Sequence, residues 1–271
     1  VHAEQAPQGI DPTKAHPARR YNYWLDGKDN FEADRASAEV VASAFPTVRL
    51  AAQENRRFMR RAVTYLAGEA GIDQFLDIGT GLPSAGNVHE VAQSILPSAR
   101  IVYVDNDPIV LVHARALLTS SAAGATAYLD ADLRDPDRIL ADPALAATLD
   151  FDRPVVLMLV AIMHFMTDED DPYGVFARLV GSLPSGSHVV MTHATGDYLT
   201  PEQYTENVEA NVRSGVPFRL RSREEFARFF DGLELLDPGV TSVVEWRPDE
   251  ELRQRPRVED VSMLCAVARV P

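Results

Sequence analysis

The sequence predicts an α/β protein built on a doubly wound, mostly parallel sheet of seven strands, preceded by an N-terminal helical lid. Three observations carry this. From Gln74 onward, short apolar segments alternate with segments of helical spacing, as in a parallel sheet covered by helices on both faces. The stretch QFLDIGTGLPSAGNVHEVAQ, Gln74 to Gln93, reads as a strand, a glycine-punctuated turn and a helix. The segment PVVLMLV is apolar at every position, as a central strand buried on both faces must be.

Residues 1–16 are polar, with Pro7, Gly9 and Pro12, and are expected to form a flexible leader. Residues 17–73 are expected to be a helical cap. Pro17 suits a first helical turn, ARRYNYWLD follows as a short helix, and Gly27 is expected to end it in the left-handed conformation. Asp29 and Glu32 have capping-box spacing for a second helix, Phe31 to Phe45, closed by Pro46. Thr47 can cap a third, in which Phe58, Ala62, Val63 and Leu66 form an apolar stripe and Gly68 and Gly71 mark the end. Arg56, Arg57, Arg60 and Arg61 fall largely opposite the stripe and are read as a solvated face.

Residues 74–271 are expected to be the main domain. Strands are placed near 74–78, 100–104, 125–129, 154–160 and 187–193, with helices near 87–96, 107–118, 135–147 and 170–183 between them. An inserted helix over 201–214 and a helix in SREEFARFF precede a terminal strand pair, LELLDPGVTSVVEW and VSMLCAVARV.

Composition limits the function classes. With 46% apolar residues, 271 residues can bury a sizeable core. A net charge of −14 argues against electrostatic attachment to nucleic acid or to an anionic membrane. The longest apolar run, Val155 to Met163, is too short to span a bilayer, and a cytoplasmic location is expected. Cys265 is the single cysteine, and the seven histidines show no HxxxH spacing, so neither a disulfide nor a dedicated metal site is expected.

In open α/β sheets ligands bind beyond the carboxyl ends of the strands, and here those ends are acidic. Strand one ends at Asp77, strand two at Asp105, and strand three runs into Asp130 and Asp132. Gly79 and Gly81, with Thr80 between them, allow a sharp turn and close approach of a ligand to the backbone. A carboxylate at Asp77 favours a cofactor with a cationic end and repels a pyrophosphate, and Ser84, after Pro83, stands where a dinucleotide site wants its third glycine. Asp105 is placed to accept hydrogen bonds from both hydroxyls of a ribose.

Four segments, LDIGTG, VYVDNDP, DADLRDP and LMLVAIMHFM, resemble in order and spacing the class I S-adenosylmethionine-dependent methyltransferases. The leader PARRYNYWLDGKDNFEADR resembles the N-terminal signature of an actinomycete S-adenosyl methyltransferase family long described as a domain of unknown function. The resemblance implies a Rossmann-like methyltransferase fold with an antiparallel last strand, S-adenosyl-L-methionine as cofactor and a small-molecule acceptor. It implies that Gly79, Thr80 and Gly81 face the methionine and ribose portion and that Asp77 lies near the amino group. Asp105, with Asn106 beside it, would take the ribose, Asp132 the adenine amine with Leu133 against the ring, and the Val160 and Ala161 backbone the methionine end. Leu82-Pro83 departs from the small residue common after the glycines. In the leader, Tyr21, Tyr23, Trp24 and Phe31 offer aromatic surface to a sulfonium, and Lys28 and Asn30 offer donors to a carboxylate. His164, just past strand four, is expected to border the acceptor pocket and to act as general base if the acceptor is a hydroxyl. Two alternatives stay open on these residues: a cofactor-binding sensor that transfers nothing, and an NAD-dependent oxidoreductase, against which Asp77 and the missing third glycine count.

Overall fold

The computed structural model describes residues 10–110, 112, 120–248 and 255–271. Among the described residues, eight strands form one sheet: β1 Gln74–Ile78, β2 Arg100–Asp105, β3 Ala125–Asp130, β4 Val156–Leu159, β5 His188–Ala194, β6 Glu234–Leu235, β7 Thr241–Ser242 and β8 Met263–Arg269. Their order is β3-β2-β1-β4-β5-β8-β6, with β7 also paired to β8. The first five strands are parallel, and β8 runs antiparallel to β5 from His188 opposite Arg269 to Ala194 opposite Met263. The order reverses between β1 and β4, which opens a crevice at their carboxyl ends.

Alternation along the strands divides the core between the two faces. On β4, Leu157 and Leu159 join Leu76, Val102, Phe176 and Phe226 on one side. Val156 and Met158 join Phe58, Leu66, Phe75 and Trp246 on the other, beneath the N-terminal helices. These helices are α1 Pro17–Trp24, α2 Glu32–Ala44 and α3 Val48–Gly68. Trp24 of α1 packs among Ala38 and Val41 of α2 and Val48 and Ala52 of α3. Buried charges tie α1 to the sheet. Arg19 Nε donates to Asp107 Oδ2 at 3.0 Å and its Nη1 lies 3.6 Å from Asp34 Oδ2, while His16 Nδ1 lies 3.1 Å from Asp107.

The structure corrects several local expectations. Residue 26, not Gly27, takes the left-handed conformation, at φ 60°. Gly27 is needed for space instead, since a Cβ there would stand 2.2 Å from Asn22 Nδ2. The second helix starts one residue later than expected, and its cap is Asp34 Oδ2 accepting from Phe31 N at 2.8 Å rather than an Asp29–Glu32 box. The leader is docked from Ile10 onward, packing with Ala18, Leu82, Ile109 and Val110. The helix expected over 135–147 is two, Pro136–Leu140 and Pro143–Thr148, because Pro143 opens a new first turn that Asp142 caps. LELLDPGVTSVVEW yields two short strands, the chain turning at Pro238-Gly239 between them. Of the helix expected over 107–118, residues 111 and 113–118 lie outside the described residues, as do residues 1–9 of the leader.

The arginine run is a solvated face only at Arg57 and Arg60, which are exposed; Arg56 and Arg61 are half-buried. Arg61 donates to Val243 O at 2.6 Å and Trp246 O at 3.1 Å, fastening α3 to the C-terminal edge of the sheet. Arg56 Nη2 donates to Ala85 O and Gly86 O, each at 3.3 Å, and holds the loop after β1.

Candidate active site

A cavity of about 350 Å³ opens at the carboxyl ends of β1, β2 and β4, roofed by α1 and α3. Asp77, Gly79, Thr80, Gly81, Asp105, Asn106, Asp132, Leu133, Val160, Ala161 and Tyr21 all line it. Lys28 and Asn30 do not. Asn30 is buried, giving Nδ2 to Asn22 Oδ1 at 2.9 Å and Gly27 O at 3.0 Å, and so locks the α1–α2 turn, while Lys28 is exposed.

The turn after β1 is built by the two glycines. Gly79 has φ 76°, its N–H is held by Val104 O at 2.8 Å, and a Cβ there would lie 2.5 Å from Ile162 Cγ1. Gly81 has φ 69° with open space where a Cβ would project, so the backbone itself faces the cavity. Asp105 clamps this turn to β2. Its Oδ2 accepts from Gly81 N at 2.8 Å and its Oδ1 from Asp107 N at 2.9 Å. Burial pushes its carboxyl up, against the pull of those two N–H groups. Asp132 is held by Asn106 Nδ2 at 2.8 Å and Arg134 N at 2.8 Å.

Asp77 is different. It is 8% exposed and, among the described residues, its carboxylate accepts no hydrogen bond. Burial raises its carboxyl to about 7, tempered by the Arg56 charge and reinforced by Asp105. Such a group is stabilised by a cationic partner. Asn55 Oδ1, also at the cavity, is buried without a donor, its Nδ2 being spent on the Tyr21 hydroxyl at 2.9 Å. These residues fit a ligand with an ammonium or sulfonium end, a ribose and a flat polar ring. At the end of β4, Ala161 sits at φ 56°, strained for a non-glycine residue, with its N–H on Thr192 Oγ1 at 2.8 Å.

His164 does not face this cavity. It is 4% exposed, borders a second, smaller cavity, and packs edge-on to Phe165 and His193. Burial, with His193 and the Arg20 and Arg221 charges adding to it, holds its pKa well below 6.5. Its Nδ1 accepts from Ala194 N at 3.4 Å, which leaves the proton of the neutral ring on Nε2. As placed, His164 is a hydrogen-bond donor, which argues against the general-base role expected of it. His193 is neutral for the same reason, its pKa pushed by burial to about 3 and its Nε2 accepting from Arg221 Nη1 at 2.9 Å.

Residues not anticipated complete the wall: His16, Asn55, Arg56, Met59, Arg134 and the 215–217 segment. Asn55 carried a signal. It follows Ala51 by four residues and precedes Phe58 and Met59 by three and four, so it is a polar side chain on the buried stripe of α3.

The model of the S-adenosyl methyltransferase family matches residues 3–271. A DUF574 family protein from Streptomyces avermitilis is 46% identical over 96% of this chain and 99% of its own, with a TM-score of 0.92. A putative methyltransferase from Thermobifida fusca is 39% identical, covers 99% of both chains and gives a TM-score of 0.89. The plantazolicin methyltransferase BpumL, in complex with SAH, shares the fold at 11% identity and a TM-score of 0.50, over 94% of this chain and 95% of its own. No curated protein matches the chain. With the family matched over nearly its whole length, the chain belongs to the S-adenosyl methyltransferases, enzymes that use S-adenosyl-L-methionine as methyl donor.

Proposed function

We propose that the enzyme methylates a small-molecule acceptor, with the cofactor held in the 350 Å³ cavity at the β1–β4 crevice. The observation that carries this reading is the buried Asp77 carboxylate, without a hydrogen-bond donor among the described residues, beside the Gly79–Gly81 turn. When bound, S-adenosyl-L-methionine supplies a sulfonium methyl group activated toward nucleophiles. Asp77 would neutralise the cationic amino-acid end, Asp105, fixed by Gly81 N, would take the ribose, and Asp132 with Leu133 would receive the adenine. Tyr21, held by Ala52 O at 2.9 Å and Asn55 at 2.9 Å, closes the cavity from α1. Among the described residues no acid–base pair flanks the β4 end, so these residues work by alignment and exclusion of water.

Calorimetry with S-adenosylmethionine, S-adenosylhomocysteine and NAD tests the assignment. The first two are expected to bind and NAD to bind far more weakly; a preference for NAD overturns it. Asp105→Ala removes the acceptor for the ribose and for Gly81 N–H together, and is expected to cost about 1–3 kcal/mol of cofactor binding.

A further inference from the structure

The second cavity, about 80 Å³, adjoins the first through three shared wall residues, Tyr21, Ala161 and Phe165. Its lining is otherwise mostly apolar, with Phe45, Val48 and Phe218 among the contacts. Three buried polar atoms in that lining have no hydrogen-bond partner among the described residues. Arg20 is 1% exposed, and its Nη1 alone is engaged, with Ser214 Oγ at 3.0 Å and Ser37 Oγ at 3.4 Å. Arg20 Nε, Trp24 Nε1 and Asn211 Oδ1 are buried without a hydrogen-bond partner. Among the described residues, no carboxylate lies within ion-pair distance of the Arg20 guanidinium.

The unengaged edge has a specific shape. Nε and Nη2 of an arginine project two parallel N–H bonds, the fork that grips a planar carboxylate. Burial lowers the Arg20 pKa to about 10, so the group stays charged at neutral pH. Its guanidinium lies 5.4 Å from the Trp24 ring and 5.9 Å from the Phe165 ring, with aromatic surface at hand for a flat ligand. A buried cation in an apolar pocket, offset by Asp34 only from beyond ion-pair distance, is costly to fold around, and a ligand anion reduces the cost.

We propose that this second cavity is the acceptor site and that it takes a compact, ring-bearing carboxylic acid, its carboxylate on the Nε–Nη2 edge of Arg20. Trp24 Nε1–H adds a donor to the same end, and Asn211 Oδ1 receives a hydroxyl or amine of the ligand. The space is smaller than the apolar cavity of about 150 Å³ that admits benzene, so part of the ring projects past Ala161 into the larger cavity. A carboxylate clamped on Arg20 is a weakened nucleophile. The atom that is methylated is therefore at the opposite end of the ligand, the end facing the cofactor. The proposal rests on the cofactor assignment made above.

The test uses the full chain, with S-adenosylhomocysteine added first and its binding confirmed by calorimetry. Benzoate and benzamide, equal in shape and different in charge, are then titrated by ligand-observed NMR. Benzoate is expected to bind at least tenfold more tightly than benzamide, and acetate, which lacks the ring, more weakly than either. Arg20→Gln is expected to erase the benzoate preference, and Trp24→Phe to weaken benzoate binding while keeping the ring. Equal affinities of benzoate and benzamide, or no benzoate binding at tens of millimolar, overturn the proposal, and this comparison needs no variant to fold. A failure of S-adenosylhomocysteine to bind would instead overturn the cofactor assignment, so the two failures are separable.

Discussion

Asp77 concentrates the electrostatics of the site in one side chain. Its carboxyl is raised by burial to about 7, so the folded protein holds a proton that the unfolded chain, with a pKa near the usual 3.8, releases. Stability owed to this proton is fully present below the unfolded value and is lost as pH rises through 7. Asp77→Asn is therefore expected to stabilise the cofactor-free protein at pH 8 relative to pH 5, by on the order of a few kcal/mol. Urea denaturation at the two pH values checks this, and a gain no larger at pH 8 contradicts it. The same variant is expected to lose cofactor affinity. In the unaltered protein, cofactor binding at pH 6 should release close to one proton, seen as a buffer-dependent calorimetric heat that vanishes at pH 8.5. Asp77, Gly79, Gly81 and Asp105 could be placed from sequence because a turn, a strand end and a spacing fix where backbone and short side chains go. Lys28 and Asn30 could not be, nor could the ring orientation of His164, which borders the second cavity, since the direction of a longer side chain depends on packing from other elements. Asn22 captures Asn30, and Ala194 captures His164.

The first helix is positioned by charge as much as by packing. Arg19 stands between Asp34 and Asp107, which are 0% and 1% exposed at their side chains. Arg19→Ala leaves both carboxylates buried with a cation removed, an expected loss of about 3–5 kcal/mol measured by urea denaturation. We also expect residues 17–45 to gain protection from hydrogen exchange when S-adenosylhomocysteine binds, because Tyr21 and His16 in or beside α1 wall the cavity. Equal exchange in both states would make this segment a static cap. The existence of α1, α2 and α3 was legible from proline, capping and stripe signals. The role of Arg56 and Arg61 was not, because their carbonyl partners come from loops 30 and 182–185 residues away in sequence.

At the scale of the whole molecule, the parallel strands were legible because each is a short apolar run between turn signals, and β4 announced its central place by carrying apolar residues on both faces. The splitting of β6 from β7 was not, since two-residue strands exist only through their pairing with β8. The N-terminal helices and the C-terminal edge meet at Trp246, which packs edge-on to Phe58 at 5.4 Å and Tyr65 at 6.1 Å. Trp246→Ala is expected to cost about 3–5 kcal/mol while leaving one cooperative transition. Separate melting of residues 17–73, followed by fluorescence of Trp24, would contradict that expectation.

Tyr21, Ala161 and Phe165 belong to the walls of both cavities. A molecule that settles Tyr21 against one space finishes a wall of the other, so occupancy of the two is thermodynamically linked. Whatever factor the first ligand lends to the affinity of the second, the second must return to the first. Donor and acceptor are then expected to tighten one another's hold, and the demethylated donor to leave faster once the methylated product has gone.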